Sequence, residues 1–123
     1  MKVIKYWKIV GLLLVSLFSV TGCLGTLFDQ PPEPVISIAD GSPYGPAPST
    51  ITFDISKSYD PDGKIVSFTF DFGDGSTPIH GTDLSTPIIH TYTDAGTYTA
   101  RLTVVDDKGK QRSISLVIAV SSP

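Results

Sequence analysis

The sequence predicts an all-β fold, a sandwich of about seven short strands, and three observations carry that prediction. From Pro34 onward, β-branched and aromatic residues alternate with polar ones, and clusters of Gly, Pro, Asp and Ser break the runs at short intervals. Nothing in this region has apolar residues at helical spacing. Charged residues are 17% and aromatics 10% of the 123 residues, which supports one packed core rather than a disordered chain.

The first 22 residues are an address. Lys2, Lys5 and Lys8 precede an unbroken apolar run from Ile9 to Val20, about twelve residues long. A membrane span needs roughly 20, so the run fits the hydrophobic region of a secretory signal. Small residues Thr21 and Gly22 lead to Cys23, the one cysteine of the chain. It has no disulfide mate and no neighbouring metal ligands, and His80 and His90 lie in a different module. The segment Val20-Thr21-Gly22-Cys23 resembles the lipobox of prokaryotic lipoproteins. That resemblance implies cleavage before Cys23 and a lipid on its thiol; the alternative is an ordinary signal peptide with an incidental cysteine. Stable anchoring takes more than one acyl chain. Leu24 follows the cysteine rather than Asp, so nothing resembles an inner-membrane retention signal. The expected location is a cell membrane or outer membrane, with the domain on the extracytoplasmic side.

Residues 23–33 contain Gly25, Pro31 and Pro32 and form an expected lipidated tether, stiffened by Pro31-Pro32-Glu33-Pro34. The domain is expected over residues 34–121. Val35-Ile36-Ser37-Ile38 predicts a short edge strand, and Asp40 to Ser49 a loop. Thr50 to Ile55 alternates cleanly, with Ile51, Phe53 and Ile55 inward. Ser56 to Gly63 is rich in turn residues, and Asp62-Gly63 is placed to supply a positive φ. The central strand, Lys64 to Phe72, is expected to bury Val66, Phe68, Phe70 and Phe72, each phenylalanine contributing about 1.5–3 kcal/mol. It ends in the turn Gly73-Asp74-Gly75. Ser76 to Pro87 is a weak strand or hairpin excursion, and Ile88-Ile89 begins the return. Asp94-Ala95-Gly96-Thr97-Tyr98 has the spacing of a tyrosine corner, in which the hydroxyl ties a strand entry to upstream backbone. That strand points Ala100, Leu102 and Val104 inward. Asp107-Lys108-Gly109 closes a hairpin, and a last strand over 113–120 points Ile114, Leu116, Ile118 and Val120 inward. Together these make an immunoglobulin-like β-sandwich without its disulfide. An end just after this strand leads us to expect a one-domain protein, the alternative being a piece of a larger one.

Four motifs, in order, resemble a polycystic-kidney-disease (PKD) domain: Ser58-Tyr59-Asp60-Pro61-Asp62-Gly63, Phe70-Asp71-Phe72-Gly73-Asp74-Gly75-Ser76, His90 through Tyr98, and Leu102 through Gly109. The resemblance runs from about Pro34 to Val120, and Phe70 stands where the family usually has Trp. It implies an extracellular sandwich used in protein–protein or protein–carbohydrate contacts, with no catalytic activity.

Asp60, Asp62 and Asp106 are the sharpest chemical candidates. Asp-x-Asp-Gly begins as hard-cation loops do, although Lys64 sits where a further oxygen ligand would be expected. PKD domains of some secreted bacterial collagenases hold calcium, and that resemblance implies a calcium site at Asp60, Asp62 and Asp106, with Glu33 or Gln30 as the available upstream donor. The alternative is that these aspartates cap turns. Asp71 and Asp74 are expected to serve the amides of their own turn, and His90 to be a structural hydrogen-bonding residue. Exposed aromatics able to stack on sugars are few: Phe28, Tyr44 and Tyr59. No elbow-like serine with a His and Asp, phosphate loop or Cys/His cluster is present, so no enzyme is expected. Without residues 1–22, six basic residues face twelve acidic ones, a formal −6. Such a surface repels phosphate backbones and disfavours nucleic acid. Two expectations remain: a surface-anchored binding module for protein or polysaccharide, or a passive spacer or accessory subunit of an envelope complex.

Overall fold

The chain is described over residues 28–123 in a computed structural model; the expected signal peptide, Cys23 and the tether up to residue 27 lie outside the described residues. Eight strands follow in order: β1 (Ser37–Asp40), β2 (Tyr44–Pro46), β3 (Ser49–Asp54), β4 (Ile65–Asp71), β5 (Ile79–Gly81), β6 (Ile88–Tyr92), β7 (Gly96–Asp106) and β8 (Gln111–Ser121). They form a three-stranded sheet, β1-β3-β6, and a five-stranded sheet, β2-β8-β7-β4-β5. The all-β sandwich is the fold the alternation predicts, with one strand more.

The core forms where the alternating residues of both sheets meet. Ile51, Phe53 and Ile55 come from β3 and its end, Phe68, Phe70 and Phe72 from β4 and its end, and Ala100, Leu102, Val104 and Ile118 from β7 and β8. Phe53 and Phe70 pack with ring centroids 4.9 Å apart, and Phe70 and Phe72 at 5.3 Å. These tilted contacts add to the area the rings remove from water.

Several expectations need correcting. The first strand begins at Ser37, because the backbone of Val35 is satisfied elsewhere: its N–H donates to Ser58 Oγ, and that hydroxyl donates to the Val35 carbonyl. The segment from Asp40 to Ser49 is not all loop. Its β2 runs parallel to β8, with Ala119 N–H donating to the Pro43 carbonyl and Ala47 N–H to the Ser121 carbonyl. Val66 is exposed, because a bulge between Ile65 and Ser67 hands the inward position to Ile65. Ile114 occupies an inward position of β8 yet is 41% exposed. Gly63 does not take a positive φ; Gly73 (77°) and Gly75 (83°) of the turn after β4 do. Pro31 to Glu33, expected as tether, belong to the compact unit Pro31–Pro123. Pro32 is fully buried, and Glu33 exchanges two backbone hydrogen bonds with Tyr59.

Candidate functional site

Two features stand out: an acidic end, and the outer face of the five-stranded sheet. At the acidic end, β7 finishes at Asp106 beside the loop that leads into β4. Asp106 is 1% exposed. Its Oδ1 accepts from the amides of Lys108 (2.9 Å) and Lys110 (2.8 Å), the capping role expected of a turn aspartate. Its Oδ2 is buried and has no hydrogen-bond partner, and the same holds for Asp60 Oδ2. Unpartnered carboxylate oxygens out of water are costly, so two at one end of the domain call for an explanation. Asp60 Oδ1 receives the Asp62 amide at 3.3 Å. Burial raises the Asp60 carboxyl above the usual aspartate range; the Asp62 amide opposes this, and the charges of Asp62 and Asp106 add to the rise.

Gly63 keeps the space open. A Cβ there would lie 2.5 Å from Asp107 Oδ1 and 3.0 Å from Asp60 Oδ2. Asp62 turns its Oδ2 toward Lys108 Nζ, 4.0 Å away. The Glu33 carboxylate pairs with Arg112, while its backbone fixes Tyr59, the residue before Asp60. The structure therefore sets the carboxylates of both Asp62 and Asp106 close enough to Asp60 to raise its carboxyl, and Asp62 also faces Lys108. Among the described residues, no three His, Cys, Asp or Glu side chains form a ready-made metal cage. The donor set, all carboxylate oxygen with two unsatisfied lone-pair positions, nevertheless fits a hard cation.

At the opposite end of β4, Asp71 Oδ1 accepts the Gly73 amide, and Asp74 Oδ1 accepts the amide and hydroxyl of Ser76. Both aspartates serve their turn, as expected. Asp74 Oδ2 also meets His90 Nε2 at 2.6 Å, and the imidazole stacks on Phe72 with centroids 3.8 Å apart. Sequence reasoning missed this pairing, because Asp74 and His90 are 16 residues apart and only the sandwich brings them together. Burial pushes the Asp74 carboxyl up, but the hydrogen bonds from Ser76 and His90 outweigh it and bring it down to about 2. Tyr98 OH donates to the Asp94 carbonyl at 2.8 Å, completing the tyrosine corner. A second tyrosine tie, unforeseen, runs from buried Tyr92 OH to the Phe72 carbonyl at 3.0 Å.

The outer face of the five-stranded sheet follows from its register. His80, Thr69, Thr103 and Ser113 stand side by side on β5, β4, β7 and β8. Thr69 Oγ1 is 2.9 Å from His80 Nδ1, and Thr103 Oγ1 is 2.7 Å from Ser113 Oγ. The next row is Asp71, Arg101 and Ser115, followed by Thr99 with Val117, then Thr97, Ala119 and Tyr44. Tyr44, expected in a loop, stands on β2 and is 71% exposed. The result is a hydroxyl-rich face with an arginine near its middle and a tyrosine ring at its rim. Tyr59 is exposed beside the acidic end, and Phe28 lies outside the compact unit.

A sandwich of this topology, with a tyrosine corner and an Asp-rich turn, is of the immunoglobulin-like β-sandwich class. Residues 31–120 match the PKD domain family, and the chain belongs to that family. It is 39% identical over 88 residues to a collagenase of Bacillus cereus, a match covering 71% of this chain and 8% of the collagenase. The chain spans less than a tenth of the length of the curated relatives it matches. Among solved structures, it resembles the PKD1 domain from the Vibrio cholerae metalloprotease PrtV, with TM-score 0.58 and 29% identity, covering 76% of this chain and 100% of that one. A structure described as explaining the promiscuous specificity of carbohydrate-binding modules of the β-sandwich superfamily gives TM-score 0.64 and 31% identity, covering 76% of this chain and 36% of that one. PKD domains are non-catalytic accessory modules, and the curated relatives that this chain matches include collagenases and a metalloprotease.

Proposed function

We propose that this chain is a lipid-anchored binding module, held on the extracytoplasmic side of a membrane by Cys23 and contacting protein or polysaccharide through its PKD domain. The observation that carries the reading is the outer face of the five-stranded sheet. Hydroxyls in register, Arg101 and the Tyr44 ring offer hydrogen bonds and a stacking surface to an extended polymer, and no chemistry is needed there. The kinship with modules of collagenases, and with a structure of carbohydrate-binding modules, supports the same classes of ligand. Retention of the 24–123 fragment on insoluble collagen, chitin or cell-wall polysaccharide tests it; a fragment that stays in solution with every polymer contradicts it.

A second observation favours a cation at the acidic end. The buried, unpartnered oxygens of Asp60 and Asp106 would be satisfied by Ca²⁺, with Asp62 turning from Lys108 to join them. Calcium there would bind the loop before β4 to the end of β7 and stiffen the domain's entrance. Its chemistry is purely structural.

A further inference from the structure

The strand edges of the sandwich are of very unequal character. β2 and β5 are three residues each and β1 is four residues with a bulge, all of them short or irregular enough to discourage pairing. β6 offers five residues next to Pro87. β8 differs. It spans eleven residues, and β2 covers only Ala119, Val120 and Ser121. Among the described residues, no strand pairs with Gln111 to Val117 on the side away from β7.

The hydrogen-bonding direction of that edge follows from its covered end. Ala119 N–H and the Ser121 carbonyl point toward β2, away from β7. The β7–β8 register is unbroken from Gln111 to Val120, so the alternation carries back along the strand. Gln111, Ser113, Ser115 and Val117 therefore aim their N–H and C=O groups at the open edge. These four residues are symmetric about Ile114.

We infer that the open edge of β8 pairs antiparallel with β8 of a second copy of this chain, across a two-fold axis at Ile114. In that register Ser113 faces the partner's Ser115 and Gln111 faces the partner's Val117, so all four outward residues are used, each pair exchanging two hydrogen bonds. An axis at Ser113 or Ser115 would leave one of the four without a mate. Ile114 meets its own copy at the close, non-hydrogen-bonded position, and Arg112 meets the partner's Leu116. This accounts for an inward-facing isoleucine that is 41% exposed in the single chain. No like charges are opposed: the stretch from Gln111 to Val117 holds no acid, in a chain whose acidic residues otherwise prevail, and Arg112 is engaged by Glu33. The pairing would join two five-stranded sheets into one continuous sheet, an isologous dimer.

The test uses the 24–123 fragment, justified because the PrtV PKD1 domain is a solved structure of an isolated domain. The fragment has no native cysteine, so Ile114→Cys places a single thiol on the proposed axis, within the distance a disulfide bridges. Mild oxidation is expected to link most Ile114→Cys chains into dimers and few Val66→Cys chains. Sedimentation is expected to show that S113E/S115E, which opposes carboxylates, dissociates the dimer at least tenfold more readily. S113K/S115E, which opposes lysine to glutamate in this register alone, is expected to restore it. Circular dichroism of each variant checks that the sandwich is intact. A wild-type fragment that sediments as a monomer up to millimolar concentration would overturn the inference. So would equal cross-linking of the two cysteine variants, or a dimer untouched by S113E/S115E, either of which places the contact elsewhere or assigns the edge to a different strand.

Discussion

Asp60 gains nothing from its charge in the cation-free protein. Its folded-state carboxyl is raised by burial and by neighbouring acids, so its ionisation opposes folding as pH rises past the ordinary aspartate range. Asp60→Asn keeps the Oδ1 acceptor for the Asp62 amide while removing that charge. The variant is expected to melt higher than wild type in chelator and to lose the calcium response. Wild type with calcium at a hundred times its Kd should gain about 2.7 kcal/mol, a rise of about 10 °C or more for a domain this size. A wild-type melting temperature indifferent to calcium and chelator dismisses the site. Asp74 behaves in the opposite way. Its folded carboxyl sits at about 2, below the unfolded value, so the unfolded chain takes up the proton first. Its stabilisation is complete above about pH 4 and fades as pH falls toward about 2. Asp74→Asn should flatten the fall in melting temperature across that window, and a fall as steep as wild type contradicts the lowering of the Asp74 carboxyl by its bonds to Ser76 and His90.

The turn after β4 shows how an element is fixed by backbone rather than by side chains. Gly73 has φ of 77°, and a Cβ there would lie 2.3 Å from the Thr99 carbonyl oxygen; Gly75 has φ of 83° with nothing within 4 Å. Gly73→Ala should therefore cost about 2 kcal/mol or more, and Gly75→Ala about 1 kcal/mol. Denaturant melts of the two variants separate these cases, and equal losses contradict the close approach to β7. The strands that face the core were legible in the sequence, because Ile51, Phe53, Ile55, Phe68, Phe70 and Phe72 alternate without interruption. β2 was not, since three prolines hide a strand whose pairing is parallel and only three residues long. The bulge at Ile65–Ser67 was equally invisible: it shifts Val66 outward without any change of residue type. Asp60 and Asp106 were legible as a pair of acids through family resemblance. Their unsatisfied oxygens, and the turn of Asp62 toward Lys108, depend on packing that no local pattern encodes.

At the scale of the molecule, the proposed anchor and the proposed ligand-bearing face are open to separate tests. Cys23→Ser is expected to move the protein from the membrane fraction to the soluble fraction and to abolish labelling with fatty acid. Unchanged membrane retention contradicts the lipid anchor while leaving the domain's role untouched. The sandwich itself bears the proposed activity, the binding of a polymer by its outer sheet face. The most direct measurement is depletion of the 24–123 fragment from solution by insoluble collagen, chitin and cell-wall polysaccharide, with wild type set against a Tyr44→Ala/Arg101→Ala variant. Both side chains project from the face and contribute nothing to the buried core, so folding should be preserved. Wild type is expected to be depleted by at least one polymer, and the variant to lose at least tenfold in affinity for it. Wild-type protein left in solution by every polymer, or a variant that binds as well as wild type, would contradict it.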